Sequence, residues 1–127
     1  RYILPASFFT SSSSFSVVES RCARYATKDA FEGIAKQEMK HAESIAERLF
    51  CLDEIPTTKP EPINVGKTLK EMIAQDVKDE KKAIDMYKEI IAAAQKEGYV
   101  TIAFLFMEIL KDEEDHHDIF ATLLEQA

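Results

Sequence analysis

Tryptophan is absent from this 127-residue sequence, and glycine, proline and cysteine occur three, four and two times. Cys22 and Cys51 have neither metal-ligand spacing nor the density of a disulfide framework, so a stapled secreted fold and a thiolate metal site are both excluded. Both cysteines are expected to be ordinary packing residues, and their scarcity points to a reducing compartment, the cytoplasm. A run of about 18 apolar residues is also missing, which excludes a membrane-spanning helix. Basic residues are in deficit, 16 against 23 acidic ones, and the lysines between Lys67 and Lys111 are scattered among glutamates. No basic face exists to neutralise phosphates, so nucleic acid is excluded as a partner.

What is present suits one compact domain spanning residues 1–127. Hydrophobic residues make up 46%, enough for a chain of this size to bury about two-thirds of its unfolded surface. Pro56, Pro60 and Pro62 cluster in residues 54–65 with Thr57 and Thr58, which predicts an extended linker between helices. Asp29 followed by Glu32 predicts a capping box opening a helix over 29–53. Asn64 is expected to cap a second helix over 65–97 that Gly98 stops, and a third covers 100–126. Residues 2–9 are read as the end of an earlier helix and the serine-rich stretch after them as loop. Residues 1–28, rich in arginine and serine with Glu19 as the one acid, also look like an organelle transit peptide. Because the first residue is Arg1, further residues are expected upstream.

Each predicted helix carries an apolar stripe at steps of three and four. The stripes are Phe31, Ile34, Glu38, His41, Ile45; then Leu69, Ile73, Asp76, Glu80, Ile84, Tyr87, Ile91; then Ile102, Phe106, Ile109, Glu113, His116, Phe120, Leu123. Every stripe therefore places carboxylates where hydrocarbon belongs. A buried, unpaired carboxylate is strongly disfavoured, so Glu38, Glu80 and Glu113 call for positive charge, and metal ions supply it. Residues three apart share a helix face, so Glu38 with His41 and Glu113 with His116 can each offer an oxygen and an imidazole nitrogen to one ion. From composition, a histidine has an acid three residues before it about one time in five. All three histidines here do. Two of those pairs lie on core stripes, which predicts a two-metal centre with Glu80 bridging or capping the ions. Carboxylate and imidazole donors suit iron or manganese, with zinc an alternative.

Other polar residues fit quieter roles. Glu114 and His117 also stand three apart but sit off the stripe, which predicts a place at the surface or behind the ligands. Asp76 is expected either behind the ligands or at the polar edge of the bundle, and Tyr87 in the core. A second stripe on the first predicted helix, Ala35, Met39, Ala42, Ala46 and Leu49, has two readings. Its small residues suit packing against another helix or a symmetric partner, or the Met39 thioether ligates haem.

The run Glu38-Met39-Lys40-His41-Ala42-Glu43, continued by Ile45-Ala46-Glu47-Arg48-Leu49, resembles the second helix of bacterioferritins in the ferritin-like superfamily. Ile109-Leu110-Lys111-Asp112-Glu113-Glu114-Asp115-His116 resembles that family's fourth helix, and Asn64-Val65-Gly66 leading to Asp76 and Glu80 its third. The resemblance covers residues 30–127. It implies an all-α, ferritin-like antiparallel four-helix bundle with a long crossover, its first helix truncated here. It further implies that Glu38 and Glu113 are bridging carboxylates, His41 and His116 histidine ligands, and Glu80 a terminal carboxylate of a di-iron centre. Met39 falls on the haem-ligating methionine, which implies haem b shared across a two-fold dimer. The assembly implied is a hollow 24-subunit shell.

Departures accompany the matches. Residues 2–9 look like the later part of the family's first helix, which puts that helix's glutamate ligand upstream of Arg1. The longer distance to Glu38 implies an insertion around residues 10–25. Glu19 is the alternative ligand, provided that the chain turns as a hairpin near Lys28. The family's short fifth helix has no counterpart after Ala127. Three functions follow: ferroxidase chemistry with iron storage, a rubrerythrin-like or manganese-catalase-like peroxide enzyme, or a non-catalytic assembly protein with an incomplete metal site.

Overall fold

A computed structural model describes residues 21–56, 59 and 66–127, with side chains described from Thr27 onward. Three α-helices account for nearly all of it: α1 (Arg21–Phe50), α2 (Leu69–Lys96) and α3 (Val100–Gln126). No strand occurs among the described residues, and none of the helices is long and apolar enough to cross a membrane. The expected end of an earlier helix, the serine-rich loop, the Glu19 ligand and the Asn64 cap lie outside the described residues.

The chain divides into two compact units, Arg1–Met72 and Ile73–Ala127. In the first, α1 begins at Arg21, eight residues before the expected start, and Asp29 is exposed in mid-helix. The Asp29–Glu32 capping box is therefore corrected. Nothing between Arg21 and Glu32 breaks a helix, and Ala23, Ala26 and Ala30 favour one. Glu32 reaches forward along the helix to Lys36 at 2.6 Å, the favourable order for such a pair. The neighbouring ammonium holds the Glu32 carboxyl below its usual range. The continuous helix also corrects two linked expectations: no hairpin turns near Lys28, and residues 21–28 are helix, not loop.

α1 buries Thr27, Phe31, Ile34, Glu38, His41 and Ile45 along one stripe, the stripe expected from its periodicity. Its last turn closes through a left-handed residue. Asp53 has φ 57°, and Glu54 N–H donates to Leu49 O while Asp53 N–H donates to Phe50 O, the paired bonds of a Schellman termination. Cys51, expected to pack, is exposed in that turn. Helix α2 starts four residues later than expected, at a capping box formed by Thr68 and Glu71. Glu71 N–H donates to Thr68 Oγ1 at 3.2 Å, and Glu71 Oε2 accepts from Thr68 N–H and Lys67 N–H.

Gly66 lies tight against this helix start. A Cβ there would meet Glu71 Cβ and Met72 N at 2.6 Å, so Gly66→Ala must displace backbone, and a loss of about 1–3 kcal/mol is expected. Gly33, exposed in α1 with open space around it, should respond oppositely. Gly33→Ala is expected to gain roughly 0.5–1 kcal/mol, since glycine is the poorer helix former. Urea unfolding of the two variants checks both signs.

The second unit is an antiparallel helical hairpin. Gly98, with φ 80°, ends α2 as expected, Tyr99 N–H donating to Ala94 O and Gly98 N–H to Gln95 O. Its core joins Ile73, Ala83, Ile84, Tyr87, Ile90, Ile91 and Ala94 of α2 to Ala103, Phe106, Ile109 and Phe120 of α3. Tyr87 and Phe106 stack in a tilted arrangement with ring centroids 5.3 Å apart, a geometry that favours aromatic pairs beyond their buried area. Leu69, Asp76, Ile102 and Leu123, expected on the core stripes, are half-buried at their margins. The lysines that made Glu80 ambiguous, Lys78, Lys81 and Lys82, all point outward. Lys81 pairs with Asp85 and Lys82 with Asp79, while Glu80 turns in.

Candidate metal centre

The ligands grow out of helix periodicity. In the first unit, Glu38 and His41 stand one turn apart on α1, 5% and 7% exposed, with His41 Nδ1 3.8 Å from Glu38 Oε2. In the second unit, α2 contributes Glu80 and α3 contributes Glu113 and His116, the last two 1% and 2% exposed. His116 Nδ1 lies 3.6 Å from Glu113 Oε2 and 3.9 Å from Glu80 Oε1, and one donor atom from each of the three falls within 4.8 Å of the others. These separations exceed a hydrogen bond. Donors held about 2.0–2.2 Å from one ion stand about 3–4 Å apart, so the spacing fits shared coordination.

The donor chemistry fits as well. Burying an ionised carboxylate without compensation costs several kcal/mol, and Glu80 and Glu113 share one small space with a single imidazole. A divalent cation offsets both charges at once, and oxygen and imidazole donors select the harder transition metals over those that prefer thiolate.

One turn before Glu80, the half-buried Asp76 has its carboxyl pushed up to about 7, by burial first and by the neighbouring Asp79 second. Its folded state therefore holds a proton that the unfolded chain releases near pH 4. Stability from this group is fully present below about pH 4 and lost as pH rises toward 7. In the metal-free protein Asp76→Asn is accordingly expected to raise the melting temperature at pH 7.5, by the equivalent of about 1–3 kcal/mol, and to change nothing near pH 4. A melting-temperature series from pH 4 to 8 checks the sign.

The metal-ligand group includes none of the remaining candidates. Glu114 is exposed and pairs with Lys88 across the hairpin at 3.4 Å, and the half-buried His117 has Asp118 beside it at 3.8 Å. Sequence spacing suggested a Glu114–His117 pair; the cross-helix partner Lys88 was not visible to it. Tyr87 is fully buried, where its ring packs the hairpin. Met39 is 65% exposed, and Ala35, Ala42, Ala46 and Leu49 of its stripe are half-buried.

A family model described as the ferritin-like domain matches residues 15–127. Bacterioferritin from Mycobacterium avium is 36% identical over 89 residues, 69% of this chain and 56% of that protein. The chain thus spans little more than half the length of this relative. Among solved structures, the Desulfovibrio desulfuricans bacterioferritin, described with a diiron site in different catalytic states, aligns with a TM-score of 0.71. Its identity is 27% over 80% of this chain and 64% of that one. A ferritin-like, diiron-carboxylate protein from Bacillus anthracis aligns with a TM-score of 0.86 over 94% of this chain and 85% of that chain; at 22% identity it shows the fold alone. The chain belongs to the ferritin-like domain family.

Proposed function

We propose that this protein takes Fe(II) as its substrate at a paired Glu-x-x-His centre, oxidises it with oxygen or peroxide, and passes Fe(III) into a storage shell built from copies of the chain. The observation that carries this reading is the burial of Glu80, Glu113 and His116 in one cluster of metal-ligand spacing. The bacterioferritin relative supports it. Residues 1–127 then act as one ferritin-like domain, with Glu38 and His41 supplying the second half of the centre.

Each residue has a role in this scheme. Glu38 and Glu113 bridge the two iron ions, His41 and His116 each bind one through a neutral imidazole, and Glu80 closes one ion from α2. Three carboxylates offset most of the charge on two Fe(II) ions, and as hard oxygen donors they favour the ferric product over the ferrous substrate. That preference provides differential binding in the direction of oxidation. Met39, exposed on α1, would ligate haem b jointly with a second chain of a two-fold dimer.

Ligand binding to the folded state alone predicts stabilisation. Fe(II) added anaerobically at about 100 times its dissociation constant is expected to stabilise the fold by roughly 2.7 kcal/mol. Oxygen should then produce the near-ultraviolet absorbance of ferric carboxylate. Unchanged melting with Fe(II), together with no absorbance change, rejects this function.

A further inference from the structure

One carboxylate close to the metal cluster in sequence has neither a partner nor a role so far. Asp76 lies four residues before Glu80 on α2, so the two share a helix face and stand about 6 Å apart along the axis. Side chains on a helix lean toward its N-terminus, which tilts Glu80 back toward the turn that carries Asp76. Nearby acids on α2 are held by donors. Asp79 accepts from Gln75 Nε2 at 3.1 Å and pairs with Lys82 at 3.3 Å, and Asp85 pairs with Lys81. Asp76 forms no hydrogen bond or ion pair among the described residues, although it is half-buried. Burial and then the neighbouring Asp79 push its carboxyl up.

A carboxylate that costs stability where it stands is expected at positions that function keeps. Its place along the stripe narrows what that function is. From Glu80 toward Gly98 the stripe continues as Ile84, Tyr87 and Ile91, all buried, and hydrocarbon offers a cation no ligand. Toward the start of α2 the next stripe residue is Asp76, half-buried and so within reach of water. Negative charge at such a boundary concentrates cations from solvent and speeds their entry. We propose that Asp76 is the entry carboxylate of the metal centre, binding Fe(II) in transit and passing it to Glu80. This rests on the iron chemistry proposed above and assigns the side from which the ion arrives. Fe(II) exchanges a water ligand for an Asp76 oxygen and then that oxygen for one of Glu80, with no change in its oxidation state. Asp76 is not a ligand of the loaded centre.

Co(II) loading separates entry from oxidation, because this ion reports its binding by ligand-field absorbance without passing through the oxygen chemistry. The metal-free protein is mixed with Co(II) at pH 7.5, the rise in absorbance is timed, and a titration gives the dissociation constant. A group used only in transit speeds entry and exit alike. Asp76→Asn is therefore expected to slow loading about tenfold while the dissociation constant stays within about threefold of the parent's. Asp76→Glu should load at the parent's rate, and so should Asp79→Asn, which removes an acid already held by Gln75 and Lys82. Because Asp76→Asn is expected to stabilise the metal-free fold at this pH, slower loading does not reflect unfolding. Loading by Asp76→Asn within about threefold of the parent, or equal slowing by Asp79→Asn, overturns the proposal. A loss of affinity as large as the loss of rate also overturns it, since that marks a ligand or a structural residue. A parent chain that oxidises no iron yet loads Co(II) with this dependence on Asp76 sinks the proposed function and supports the entry route. A parent that binds no Co(II) overturns both.

Discussion

Glu113→Gln is expected to cut iron oxidation by at least about 100-fold while leaving the metal-free protein as stable as before, or more so. The carboxylate is 1% exposed and lies 3.6 Å from His116 Nδ1. In the proposed scheme it bridges the two ions, so its loss removes a ligand from both, and losses of 10–100-fold already follow from changes behind the ligands of a metal centre. Glutamine keeps the volume and so leaves no cavity. It also removes a charge whose burial is unfavourable without metal. The two effects have opposite signs, and that opposition distinguishes a ligand from a structural residue. A purely structural glutamate would lose stability with or without iron. Oxidation assays with melting curves in the presence and absence of Fe(II) check both, and oxidation within threefold of the parent would contradict the assigned role.

The second large effect concerns the hairpin that carries three of the five proposed ligands. Tyr87→Ala is expected to destabilise the protein by about 3–5 kcal/mol, through lost burial, the cavity left behind and the lost stacking on Phe106. Domains of this size are stable by only about 5–15 kcal/mol in total, so the variant should be partly unfolded near physiological temperature. Tyr87→Phe keeps the ring pair and should cost less than about 1.5 kcal/mol. Chemical denaturation of both separates packing from the hydroxyl. Near-equal losses in the two variants would mean that the hydroxyl, and not the ring, holds the hairpin.

Much of the fold was legible because helix periodicity is strict. Placing Glu38 and His41 in phase with Phe31, Ile34 and Ile45 was enough to predict their burial, and the same reasoning held for Glu80, Glu113 and His116. Sequence went wrong where two local signals compete. Asp29 with Glu32 has the pattern of a helix start, but the alanines before it carry the helix through and Glu32 binds Lys36 instead. At Thr68 and Glu71 the same kind of pattern does open a helix, each residue bonding the other's backbone N–H. Asp53, which adopts a left-handed conformation without being glycine, left no mark in composition. Nor did the Lys88–Glu114 pair, which depends on how α2 and α3 align across their turn. Cys51 is of a residue type that is usually buried, yet it lies in the exposed turn after α1.

Iron stoichiometry tests the central claim most directly. Fe(II) is added anaerobically in steps to the complete protein, oxygen is admitted, and ferric absorbance is recorded against iron per chain. The account predicts a fast phase that saturates near two iron ions per chain and disappears in Glu113→Gln. Absorbance that rises without a break, or a fast phase that survives the substitution unchanged, would contradict it.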